Sequence, residues 1–95
     1  MNKLNKKILV VEDEEMMIRS LKDILAMEGF DVDVAKDGEE GIEKTLKGNP
    51  DLILLDIIMP KMDGITMARK LKEQGVNVPI IILTNLNDLE SISKA

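Results

Sequence analysis

The chain has 95 residues, a formal net charge of −5 and 44 % apolar residues, nearly all of them aliphatic, with seven Met and one Phe. It has no Cys, His, Trp or Tyr, which excludes disulfides, thiolate or imidazole metal sites, and catalysis by a cysteine nucleophile or a histidine base. That size allows one small domain. The acidic balance argues against nucleic-acid binding by this segment, and with apolar runs too short to cross a bilayer and no visible signal peptide, the expected compartment is the cytoplasm.

Ile8-Leu9-Val10-Val11 is a short aliphatic run, read as a buried first strand, and Glu12-Asp13-Glu14-Glu15 follow at its C-terminal end. Met17, Ile18, Leu21, Ile24 and Leu25 then recur at helical spacing and predict an apolar stripe on a first helix that stops at Gly29. Phe30 to Ala35 alternates strictly, the pattern of a half-buried strand near a sheet edge. Asp37 with Glu40 three residues on is a capping-box arrangement for a second helix to about Lys47, with Ile42 and Leu46 inward and Gly48 as its stop. Leu52 to Leu55 leads into Asp56 as a strand buried on both faces. A third helix is expected from Ile65 to about Glu73, with Met67, Ala68 and Leu71 inward and Gly75 ending it. Val78 to Leu83 reads as a fourth, interior strand, and Asn87 with Glu90 as the start of a fourth helix.

Strands alternating with helices over short connections imply a parallel sheet with right-handed crossovers. In such sheets ligands bind outside the carboxyl ends of the strands. Glu12 and Asp13 end strand 1 and Asp56 ends strand 3, so neighbouring strands would bring three carboxylates together. Like charges that close raise one another's pKa, and a hard divalent cation such as Mg²⁺ relieves the repulsion while leaving positions for water or phosphate. Glu14 and Glu15 read instead as a solvated acidic helix start, and Lys61 as a solvated loop charge. Thr84 ends strand 4 much as Asp56 ends strand 3, either as an ordinary strand-end hydroxyl or as a donor to an oxygen held on Asp56.

Three motifs in order, Ile8 to Glu14, Leu54 to Gly64 and Ile82 to Thr84, make the chain resemble the receiver domain of two-component response regulators along its whole length. The resemblance implies a flavodoxin-like α/β fold with strand order 2-1-3-4, and signalling rather than enzymatic turnover. It implies that Asp56 accepts a phosphoryl group from a sensor histidine kinase. Mg²⁺ would be held by Glu12, Asp13, Asp56 and the backbone carbonyl of Ile58, and Thr84 would be the switch hydroxyl.

The family pattern has a fifth βα unit with a Lys ending strand 5, whereas these residues end within the expected helix 4. The expectation is therefore an incomplete receiver over residues 1–95 with impaired phosphorylation, prone to form a homo-oligomer through strand 4, helix 4 or the uncovered sheet face. Two rival readings are a self-associating interaction module and an aspartyl-nucleophile phosphohydrolase. The phosphohydrolase wants an acidic residue two places after Asp56, where Ile58 stands.

Overall fold

Four aliphatic runs become four parallel strands, β1 (Lys7–Val11), β2 (Asp31–Ala35), β3 (Leu52–Asp56) and β4 (Ile80–Leu83), joined by helices α1 (Glu15–Met27), α2 (Gly38–Gly48) and α3 (Gly64–Glu73). The structure is a computed structural model that describes residues 6–56 and 64–83, with Asp56 and Leu83 described through their backbone. The sheet order is β2-β1-β3-β4, as expected. The expected helix 4, Thr84 and Ile58 lie outside the described residues.

Alternation along the strands splits the core in two. Leu9, Val11, Ile53 and Leu55 pack with Ala35, Met67 and Leu71 on the face that α2 and α3 cover. Ile8, Val10 and Leu54 face the other way, against Leu21 and Leu25 of α1 and against Phe30, Val32 and Val34. Burying an aliphatic side chain of this size contributes about 1.5–3 kcal/mol relative to exposure. Both faces of β1 and β3 are therefore needed, which is why their sequences do not alternate.

The helix ends follow from local chemistry. In α1 the Gly29 N–H donates to the Ala26 carbonyl at 3.0 Å and the Phe30 N–H to the Leu25 carbonyl at 3.1 Å, with Gly29 at φ 93°. Gly75 at φ 79° repeats the same closure on α3, donating to Lys72, while Val76 donates to Leu71. Both are the paired bonds of a Schellman motif, whose left-handed residue favours glycine. The second helix departs from expectation. Gly48 remains helical and Asn49, at φ 47°, takes the left-handed cap, which an Asn side chain tolerates better than most. Asp37 caps its start by accepting from the Glu40 N–H at 2.9 Å.

Four sequence expectations need correction. Ile18 is the buried residue of α1, and Met17 and Ile24 lie on its exposed flank, because the sheet covers a narrower arc of the helix than the apolar stripe occupies. On α2 the inward face runs through Gly38, Gly41 and Thr45, while Leu46 is exposed. The reason is a close approach: a Cβ on Gly41 would sit 2.9 Å from Met67 Sδ and 3.2 Å from Val11 Cγ2. Thr45 is accommodated there by donating its hydroxyl to the Gly41 carbonyl at 2.7 Å. The fourth strand begins at Ile80 rather than Val78; Pro79 has no N–H for the ladder, although its carbonyl accepts from Ile53 at 3.0 Å. Finally, β4 is the outer strand of the described sheet rather than an interior one, with Ile81 and Ile82 about half exposed.

Lys44 ties α2 to the edge strand β2. Its ammonium donates to the Val34 carbonyl at 2.6 Å and to Asp33 Oδ1 at 3.2 Å, with Glu40 at 3.6 Å. Burial pushes the Asp33 carboxyl up, but the Val34 N–H and the Lys44 charge outweigh it and hold the group below its ordinary 3.8. Burial likewise pushes the Lys44 ammonium down, and Asp33 and Glu40 more than restore it, above 10.5.

Two outcomes follow. Gly41→Ala gains about 1 kcal/mol of helix propensity but must displace the fully buried Met67, whereas Gly41→Val gains less propensity and clashes more, so the unfolding free energy from urea titration should fall clearly only for Val, by about 1–3 kcal/mol. Shortening the neighbour with Met67→Leu should rescue part of that loss. The depressed Asp33 carboxyl stabilises the fold above its unfolded value, and the effect is lost as pH falls through its folded value. Asp33→Asn should therefore lower the urea-derived unfolding free energy at neutral pH, by no more than about 1 kcal/mol for a half-exposed pair. The gap to the parent should close as pH drops below the carboxyl range.

Candidate functional site

Chain direction reverses at β1. From β1 the chain crosses through α1 to β2 on one side, then returns through α2 to β3 on the other. The helices after β1 and β3 accordingly lie on opposite faces, which opens a crevice at the carboxyl ends of β1 and β3. Glu12 and Asp13 follow β1 at that crevice, and Asp56 is the last residue of β3.

Strand register brings two of these positions side by side. Val11 is the partner of Leu55, so one further step along both strands sets Glu12 beside Asp56, and adjacent strands run about 4.8 Å apart. On the other side Asp56 is the partner of Leu83, the residue before Thr84. Glu12 is 4 % exposed. Its N–H donates to the Ala35 carbonyl at 2.9 Å, extending the β1–β2 ladder by one bond. Its Oε2 accepts from the Glu14 N–H at 3.0 Å, at the N-terminus of α1, where the helix dipole favours negative charge. Asp13 is exposed. A carboxylate pair on one strand end, set beside a third acidic residue on the next, is an all-oxygen donor set that suits a hard divalent cation of the Mg²⁺ class. Among the described residues, no three acidic side chains form a ready-made metal cage, and the candidate set takes its third member from Asp56.

One contact was not foreseen. Glu15, expected to be a solvated helix-start charge, accepts from Lys36 Nζ at 2.7 Å. The Lys36 hydrogen bond and its charge hold the Glu15 carboxyl below its ordinary value, and Glu15 raises Lys36 in turn. The two residues are 21 apart in sequence, and no local pattern links them. Only the β1–β2 register, with Val11 beside Ala35, brings them together. By contrast, a cavity of about 440 Å³ lined by Ala68, Leu71, Val76, Val78 and Ile80 together with the polar Arg69, Lys72 and Asn77 opens between α3 and the approach to β4. It shares no residue with the carboxylate set and lies toward the opposite end of the strands.

The family model for the response regulator receiver domain matches residues 8–95. The chain is 47 % identical over 81 residues to the alkaline phosphatase synthesis transcriptional regulatory protein PhoP of Bacillus subtilis, an overlap of 85 % of this chain and 34 % of that protein. It thus spans about a third of the length of the curated relatives it matches. The receiver domain of the Francisella response regulator 1452 superposes with a TM-score of 0.82 at 34 % identity, over 94 % of this chain and 77 % of that one. The response regulator TrrA of Thermotoga maritima, solved in complex with Mg²⁺-BeF, superposes at 0.79 with 42 % identity, over 83 % of this chain and 69 % of that one.

Glu12 and Asp13 should separate by stability. Glu12→Ala removes a buried acceptor of the Glu14 N–H and should lower unfolding free energy by about 1–3 kcal/mol. The exposed Asp13→Ala should stay within about 0.5 kcal/mol of the parent. Urea denaturation without metal checks both.

Proposed function

Because the chain belongs to the response regulator receiver domain family, we propose that it is a phosphoacceptor whose Asp56 takes a phosphoryl group from a phosphohistidine of a sensor kinase. A carboxylate oxygen of Asp56 attacks phosphorus, an O–P bond forms as the P–N bond breaks, and the departing imidazole takes up a proton. Glu12, Asp13, Asp56 and the Ile58 carbonyl would hold Mg²⁺, which when bound neutralises charge on the transferring oxygens. The Thr84 hydroxyl would donate to an oxygen of the new acyl phosphate. The observation that carries this reading is the register that sets Glu12 beside Asp56 at the β1–β3 reversal. The Mg²⁺-BeF complex of the Thermotoga relative supports the same chemistry by similarity.

Incubation with a small acyl phosphate donor tests the reading. A hydroxylamine-labile phosphoryl label should form only with Mg²⁺ present, vanish in Asp56→Asn and drop at least tenfold in Asp13→Asn. Metal alone should raise the melting temperature, since a ligand at about 100 times its Kd adds about 2.7 kcal/mol to the native state. Labelling that survives Asp56→Asn, or that ignores Mg²⁺, would remove the proposal.

A further inference from the structure

The turn that carries the acidic pair is tied at both ends to consecutive residues of one neighbouring segment. At its start the Glu12 N–H donates to the Ala35 carbonyl at 2.9 Å. At its end the Glu15 carboxylate accepts from Lys36 Nζ at 2.7 Å. Inside it the Glu14 N–H closes on Glu12 Oε2 at 3.0 Å. Lys36 is itself anchored: its N–H donates to Glu40 Oε1 at 2.7 Å, and the Glu40 N–H donates to Asp37 Oδ1 at 2.9 Å. A continuous line of bonds therefore runs from the cap of α2, through Lys36 and Glu15, to the turn that presents Asp13.

Asp13 is exposed, so where its carboxylate stands depends on the backbone of this turn. A ligand group on a turn bound at both ends gives up less conformational freedom when it takes a metal. We infer that Lys36 is a positioning residue for the metal-binding turn, acting through Glu15; the inference rests on the Mg²⁺ reading above.

Single substitutions mix two opposed effects. Removing Lys36 alone loosens the turn, which weakens Mg²⁺ binding, but also leaves Glu15 as an unpaired negative charge, which attracts the ion. The pair Lys36→Met with Glu15→Gln removes both charges together, keeps the net charge and deletes the bond. Lys36→Arg keeps a cation able to pair with Glu15.

The experiment is calorimetric titration of Mg²⁺ into the parent chain, the paired variant, Lys36→Arg and Asp13→Asn, with thermal melts in chelator alongside. The partners are 61 % and 68 % exposed, so the expected effect is modest: the paired variant should bind Mg²⁺ about two- to five-fold more weakly, with a metal-free melting temperature close to the parent's. Lys36→Arg should bind within about two-fold of the parent on the same grounds. Parental Mg²⁺ affinity in the paired variant would overturn the inference. So would a loss of affinity matched by a fall in metal-free melting temperature, which would mark a general fold effect. Parental binding in Asp13→Asn would instead remove the Mg²⁺ reading itself, and the inference with it.

Discussion

Pairing of β1 on both edges is the constraint on which the rest of the structure depends. Val10 and Val11 are fully buried, with β2 on one side and β3 on the other. A parallel sheet whose crossovers are right-handed can add strands on both sides of its first strand only by switching helix faces. That switch places α1 on one face and α2 with α3 on the other, and leaves the carboxyl ends of β1 and β3 without a helix packed over them. The acidic residues stand where the topology leaves an opening.

Bringing carboxylates together costs free energy that the surrounding bonds offset. Glu12 is buried, yet its Oε2 accepts from the Glu14 N–H at the start of α1. Glu15 is neutralised by Lys36. The neighbourhood is therefore less acidic than four consecutive Glu and Asp suggest. The same reasoning separates the pair by role. Glu12 is buried and bonded into the fold, while Asp13 is exposed.

Much of the fold was legible because single residues carry strong backbone preferences. Gly29 and Gly75 end helices where a left-handed residue is required, and Asp37 caps α2 through the bond expected from its spacing to Glu40. Unbroken aliphatic runs announced β1 and β3 as strands with two covered faces. The misread helix faces share one cause. Leu46, Met17 and Ile24 sit at helical spacing, but spacing specifies an apolar arc and not how wide an arc a neighbour covers. On α2 the neighbour is Met67, which approaches so closely that Gly41 and Thr45 take the inward face and Leu46 is turned out.

For the site, the sequence by itself determined which residues end the strands, and so that Glu12, Asp13 and Asp56 lie at carboxyl ends, because strand boundaries are written in local polarity. The strand order came from the resemblance to the receiver family, because alternation of strand and helix fixes a parallel sheet but not which strands are neighbours. The tertiary structure alone decided that the exposed Glu15 pairs with Lys36, and that Glu12 is buried while Asp13 is exposed. Those facts depend on register between segments about 20 residues apart, and a register is a property of two strands together that neither records alone.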